Sequence, residues 1–462
     1  MTLTLRTATL LCAGALAAGC GETPMTMTDA GPLPGDSGPP PSDTGPRDAG
    51  PPGNNSFETA GTVTLGTPLN ERIERAGDVD FFRFEGTAGQ WIQILASAPA
   101  ESDPRADTVV TLFDSAMMQI AENDDAQPRS DTDSEIIVRL PSAGTYYVRV
   151  QEYSSWITDD MVEPAGGASY GYELTVGEIP STATQVLIEP ATDFGDDAAS
   201  ATAIRFASVT GGRFGLVLGG FDSGTDVDVL SFTVAAMADA PHNFDVIVMP
   251  EGNTGYGSTN GPGRVWITNA DGTEIIARAT IGEAVTGVNP SLAAGDLLLF
   301  VEASGAGSND HYVVKVFDAN EDNPVETAEL TNGSFATAEP LTMEAIPADE
   351  GVTGERVFIG PRLGADDVDY FSFSVMAGRE VSISCGSRTS GSGVVGLVAE
   401  LRDGTEAVLG TSTETATENA FIDAVAVPAA GTYYLRITKA SQDAAVTGDW
   451  VRCGIRALAP MP

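Results

Sequence analysis

Three times along the 462-residue chain the triplet Asp-Val-Asp sets two aspartates one residue apart: Asp78 and Asp80, Asp226 and Asp228, Asp367 and Asp369. Each pair opens an apolar run, ending at Phe84, Phe232 and Phe373 respectively. Alternate side chains of a strand share a face, so Asp78, Asp80, Phe82 and Phe84 line one face if the strand starts that early, which sets the carboxylates at the lip of a core. A carboxylate that leaves water needs donors or a cation. Two chemistries meet that need: backbone N–H groups of the preceding turn, or a Ca²⁺ shared with oxygen ligands nearby. Asp78, Asp80, Asp226, Asp228, Asp367 and Asp369 are therefore the candidate calcium ligands.

Catalytic chemistry is not expected. Only His242 and His311 are present, and neither opens the H-E-x-x-H pattern of a zinc hydrolase. His242 stands in the turn-like Ala240-Pro241-His242-Asn243 and His311 leads an apolar run, so both read as surface or strand residues. Zinc lacks ligands. With 65 Asp and Glu, carboxylate pairs of the kind used in glycoside hydrolysis arise by number alone. The acidic loop Glu122-Asn123-Asp124-Asp125, with Asp131, Asp133 and Glu135, reads as solvated, and Trp156 is the best aromatic candidate for a ligand contact on a loop. The alternative class is a secreted hydrolase, protease or glycosidase, whose site the sequence does not display.

The elements that must position these aspartates recur with them. An Ala-Gly pair stands at 88–89 and 377–378, with each glycine nine residues after the second aspartate, and each pair leads into an alternating run. A second Ala-Gly opens Ala143-Gly144-Thr145-Tyr146-Tyr147-Val148-Arg149-Val150, Ala294 to Val301, and Ala430-Gly431-Thr432-Tyr433-Tyr434-Leu435-Arg436-Ile437. Tandem duplication explains the spacing. Apolar residues alternate over short runs bounded by Gly, Pro, Asn and Asp, which predicts three all-β sandwich modules at 54–178, 189–318 and 325–462. The stretches 179–188 and 318–328 read as linkers.

The first module, with Asn55-Ser56-Phe57-Glu58-Thr59-Ala60, Gly77-Asp78-Val79-Asp80-Phe81-Phe82, Asn123-Asp124-Asp125 and Ala143-Gly144-Thr145-Tyr146-Tyr147, resembles the bacterial pre-peptidase C-terminal domain. Module three keeps Asn332-Gly333-Ser334-Phe335-Ala336-Thr337-Ala338 and both aromatic motifs but lacks Asn-Asp-Asp, and module two is degenerate, with Leu230 for an aromatic. The resemblance implies jelly-roll-like sandwiches that accompany secreted proteases or act as accessory binding units. It also implies a calcium site built with an acidic leading segment: Asn54, Asn55 and Glu58 in module one, Glu189, Asp193, Asp196 and Asp197 in module two, Glu326, Glu329 and Asn332 in module three.

The net charge of −42 argues against nucleic acid and anionic lipid headgroups as partners, since both are polyanions. Lysine occurs only at Lys315 and Lys439. Residues 1–19 read as a lipoprotein signal peptide, with Arg6, an apolar run too short to span a bilayer, and Leu16-Ala17-Ala18-Gly19 before Cys20, the candidate lipidation site. Secretion without a lipid is the alternative, because Ala17 stands where a leucine is usual. Residues 20–53, rich in Pro, Gly and Asp, form a tether without a core; fully extended at about 3.1 Å per residue it spans on the order of 100 Å. The expectation is an exported protein attached to the membrane through a lipid, at the outer membrane or cell surface, with a protein or polysaccharide ligand. Cys385 and Cys453 fall on alternating runs and form one candidate disulfide, the alternative being two buried thiols.

Overall fold

The computed structural model describes residues 53–459, apart from 100–103, 127–132, 158–161, 191, 210–211, 236–241, 249–256, 283–286, 308, 320–330, 347–352 and 365. The signal peptide, Cys20, the tether up to residue 52, Asp131, Glu326 and Glu329 lie outside the described residues.

Alternation of apolar and polar residues builds three β-sandwiches. In module one a five-stranded sheet runs in the order Gly61–Thr62, Val79–Gly86, Gly144–Glu152, Thr108–Phe113, Gln119–Asn123. It faces a sheet of Leu69–Arg72, Gly171–Glu178, Trp91–Ser97 and Ser134–Arg139. Module two repeats the first sheet as Thr202–Ala203, Val227–Val234, Gly295–Ala303, Pro262–Asn269, Ile275–Thr280. Module three repeats it as Glu339–Pro340, Val368–Val375, Gly431–Thr438, Val398–Arg402, Val408–Thr413. The second sheets of these modules are centred on His311–Ala319 with Gly212–Gly220 and His242–Val248, and on Arg452–Leu458 with Gly354–Ile359 and Arg379–Gly386. His242 thus opens a strand where its neighbours had suggested a turn.

Register is shared as well as order. The second aspartate of each pair lies opposite the same position of the returning strand: Asp80 opposite Val150, Asp228 opposite Val301, Asp369 opposite Ile437. Period-2 geometry then points Asp80, Phe82 and Phe84, and their counterparts Asp228, Leu230, Phe232 and Asp369, Phe371, Phe373, into the interior, where all are buried. The repeated Ala-Gly pairs exist for the turn that follows: Gly89 and Gly378 adopt φ of +77° and +76°, a conformation side-chain-bearing residues seldom take. The leading segments fold into single 3₁₀ turns, Phe57–Thr59 and Phe335–Thr337, that pin an aromatic ring to the outer face of the sheet. Phe57 meets Phe81, Phe113 and Tyr147, and Phe335 stacks on Tyr434 with ring centres 4.0 Å apart.

The modules are fused. Trp91, Ile137 and Ile179 of module one form a single buried cluster with Val186, Phe214, Leu216, Leu218, Val313 and Phe317 of module two. Within it Lys315 forms a buried ion pair with Glu135 and donates to Ala126 O at 3.2 Å. Glu135, expected in a solvated loop, is thus an interface residue. The stretch read as the first linker also needs correction. Val186–Ile188 is a strand running parallel to Leu216–Leu218, so the second sandwich begins ahead of Glu189; the short apolar run between Pro180 and Pro190 supplied too few residues to show as a strand. At the other junction Trp450 of module three packs into the core of module two, and Arg452 donates to Asn289 O and Pro290 O. Among the described residues no helix is long and apolar enough to cross a membrane.

Candidate metal centre

The first aspartate of each pair is held by donors from the turn in front of it. Asp78 accepts the Glu74 N–H at 2.8 Å and Asn55 Nδ2 at 2.9 Å. Asp226 accepts the N–H of Asp222 at 2.7 Å and of Val227 at 3.0 Å, and Asp367 those of Gly364 at 3.2 Å and Val368 at 2.9 Å. Charge-assisted bonds of this kind fix the turn and orient the strand.

The second aspartate meets a tyrosine. Tyr172 donates its hydroxyl to Asp80 Oδ2 at 2.5 Å, and Tyr312 donates to Asp228 Oδ2 at 2.7 Å, each from the second residue of the strand that closes the module. One neutral donor offsets only part of the cost of burying a carboxylate. Burial therefore pushes Asp80 up to about 7 against the Tyr172 bond, with the charges of Asp78, Glu71 and Glu74 adding to the rise. In module three the closing strand is aligned so that Cys453 takes the place of Leu174 and Val451 that of Tyr172. Cys385 stands opposite Cys453 as Ala96 stands opposite Leu174, and the two cysteines are joined. A cross-strand disulfide thus fills a packing position of the core.

In module two further carboxylates converge on the motif. Among the described residues, the acidic groups with oxygens within 4.8 Å of one another are Glu189, Asp193 and Asp228, and Asp193, Asp196 and Asp226. Three elements bring them there. Glu189 follows the strand Val186–Ile188 and is fixed by its N–H to Leu218 O; Asp193 sits at φ +76° in a tight turn closed on Pro190 O; the motif strand adds Asp226 and Asp228. Asp228 Oδ1 is fully buried and has no hydrogen-bond donor. Burial, the side-chain contact with Asp193 and the charge of Asp228 push Glu189 up to about 9. Burial pushes Asp228 up to about 8 despite the Tyr312 bond, with the charges of Asp226 and Asp193 contributing. A buried carboxyl oxygen without a donor, among oxygen ligands alone, fits a hard divalent cation. Asp197 stands apart, exposed and capping the turn to Ser200.

The remaining sequence candidates scatter. Asp133 accepts Arg105 Nη2 at 2.7 Å and Ala98 N at 2.9 Å, and Glu122 faces Arg149 at 3.4 Å, so these acids support loops. Trp156 ends a single helical turn, half-buried with its ring 5.6 Å from that of Tyr153. His311 is buried with Nδ1 3.1 Å from Asn309 O and its ring edge-on to Trp91. Gly167-Ala168-Ser169-Tyr170-Gly171 spells G-x-S-x-G, the pattern of a hydrolase nucleophile turn. It forms a turn closed by Tyr170 N on Gly167 O and runs into a strand, not the strand-to-helix elbow that exposes a nucleophile. The two tyrosines went unrecognised because each reaches its aspartate from 84 or more residues away in sequence.

Residues 78–152 and 367–439 match the bacterial pre-peptidase C-terminal domain. Modules one and three carry this domain. The pre-peptidase C-terminal matches span both aspartate motifs and both Ala-Gly-Thr-Tyr-Tyr strands, the elements whose geometry repeats. A probable subtilase-type serine protease of Deinococcus radiodurans is 34% identical over 99 residues, 21% of this chain and 13% of the relative. The chain thus spans a small fraction of that protein. Among solved structures, the triple jelly roll of an archaeal virus aligns over 86% of this chain and 89% of its own at 8% identity and a TM-score of 0.17. A Clostridium perfringens M60 catalytic domain with two CBM51 domains aligns over 86% and 34% at 9% identity and the same score. Superpositions at that score carry no argument.

Proposed function

We propose that this chain is an exported, lipid-anchored protein that displays three fused, non-catalytic β-sandwich modules as one rigid unit for binding a protein or polysaccharide, with Ca²⁺ bound in module two. The observation that carries the reading is Asp228 Oδ1, a buried carboxylate oxygen without a donor, grouped with Glu189 and Asp193. Glu189, Asp193 and Asp228 would hold the ion, with Asp196 and Asp226 grouped beside Asp193. Bound there, Ca²⁺ supplies positive charge that keeps the acids ionised and ties the strand Val186–Ile188 to the motif strand.

Export and anchoring rest on the signal-like segment ending at Cys20 and on the Pro- and Gly-rich tether. Attachment through Cys20 places the modules at the outer membrane or cell surface. A Cys20→Ala variant should leave the membrane fraction; unchanged fractionation contradicts lipid anchoring. The purified protein should show no turnover on a protease and glycosidase panel and should bind on a glycan and protein array. Turnover that survives purification to homogeneity contradicts the non-catalytic assignment.

A further inference from the structure

Each module ends its five-stranded sheet in a short outer strand: Gln119–Asn123, Ile275–Thr280 and Val408–Thr413. The three are built alike. Each pairs with its inner neighbour through the same irregularity, located between Leu112 and Phe113, Ile267 and Thr268, and Leu401 and Arg402. Registered on it, Ala121, Ala277 and Gly410 correspond, and so do Ile120, Ile276 and Leu409 one residue earlier.

In the first two modules that place is covered by the module that follows. Module two brings Gly257, from the loop ahead of Pro262–Asn269, against module one: a Cβ at Gly257 would stand 2.9 Å from Ile120 Cγ2 and 3.1 Å from Val138 Cγ2. Its loop ahead of the closing strand also reaches module one, with Asn309 Nδ2 3.4 Å from Arg139 O. Module three uses the corresponding pair of loops on module two. The Arg278 N–H donates to Gly391 O at 3.0 Å, while Thr447 and Gly448 donate N–H to Ile275 O at 2.8 Å and Ile276 O at 3.2 Å. Gly257 and Gly391 share a left-handed backbone, φ +80° and +88°. The same contact has been made twice, partly through free backbone groups of a sheet edge.

In module three the corresponding strand is open. Val408 is 47% and Leu409 38% exposed, and Val408-Leu409-Gly410-Thr411-Ser412-Thr413 carries none of the charges or prolines that usually protect an edge. We infer that this edge docks a further β-sandwich, the first module of a second copy of this chain, so that copies join head to tail. Module one has loops at the matching end, including residues 104–107 and 162–170. Among the described residues they hydrogen-bond within their own module, as Arg105 does to Asp133 and Gly167 N–H to Ile73 O. A head-to-tail contact is heterologous, and it extends a series or closes a ring where a two-fold contact stops at a dimer. The charge of −42 opposes the approach of two copies, so salt strengthens the association by screening. The inference stands apart from both the cation site and the lipid anchor.

Sedimentation of the full chain at increasing concentration, in low and moderate salt, tests it. Species larger than a dimer should grow in with concentration and with salt. Leu409→Asp should weaken the association about tenfold or more, equivalent to about 1.4 kcal/mol, without altering the melting temperature. Thr411→Pro, which removes the N–H corresponding to that of Arg278, should weaken it as well. A monomer at every concentration, assembly that ends at a dimer, or association insensitive to both substitutions in folded protein overturns the inference.

Discussion

The Tyr312 hydroxyl donates to Oδ2 of Asp228 at 2.7 Å and leaves Oδ1 buried without a donor. Tyr172 serves Asp80 in the same way from the same strand position, yet among the described residues Asp80 belongs to no group of three acids whose oxygens lie mutually within 4.8 Å. The aspartate motif therefore has two uses in one chain. It fixes the turn and strand through backbone donors in every module, and in module two it also completes a cluster of acids.

For module one the consequence is a dependence on pH. A carboxyl raised to about 7 in the folded protein, above its ordinary 3.8, contributes stability that is full below the unfolded value and is lost as pH rises through about 7. Asp80→Asn keeps an acceptor for Tyr172 and removes the charge. Wild-type module one should lose stability between about pH 4 and 7, read as faster hydrogen exchange in Val79–Gly86, and Asp80→Asn should flatten that loss. Equal slopes in the two proteins count against the assignment.

Module three relies on its covalent link. Cys385 and Cys453 are buried and close a loop of 68 residues, which in the chain-entropy account stabilises by up to about 4 kcal/mol. Replacing both by Ala should lower urea stability by roughly 2 to 4 kcal/mol. Because Trp450 and Arg452 adjoin Cys453 and reach into module two, exchange should quicken at Asn289, whose N–H donates to Ser390 O, as well. A stability within experimental error of wild type would refute the link.

The junction of modules one and two should be sensitive to breaking its ion pair from one side. Glu135→Ala leaves Lys315 charged inside an apolar cluster, a change that costs about 3 to 5 kcal/mol in comparable buried pairs. Adding Lys315→Met should restore much of the loss. A double variant as unstable as the single one would show that packing, and not the uncompensated charge, sets the cost.

Much of the fold was legible because the features that make a strand are local. Period-2 alternation, Gly89 and Gly378 at their turns and the shared spacing to Gly144 and Gly431 all point to repeated sandwiches. The disulfide followed from two cysteines on alternating runs. What escaped was contact between distant parts of the chain. The run Tyr312-Val313-Val314-Lys315-Val316-Phe317 is apolar on both faces, the signature of a strand buried twice, and it marks the module junction that was taken for separated domains. The convergence of Glu189 and Asp193 on Asp228 depends on how a parallel strand of three residues and a tight turn are placed, which no spacing encodes.

The cation site is tested most directly by titrating calcium-stripped full-length protein with Ca²⁺ by calorimetry, beside Asp193→Asn and Asp228→Asn variants. The account predicts saturable binding that is lost or weakened at least about tenfold in either variant, and a melting temperature that rises with Ca²⁺ for the wild type alone, by mass action on the folded state. Binding and melting indistinguishable among the three proteins, or no heat with the wild type, would contradict it.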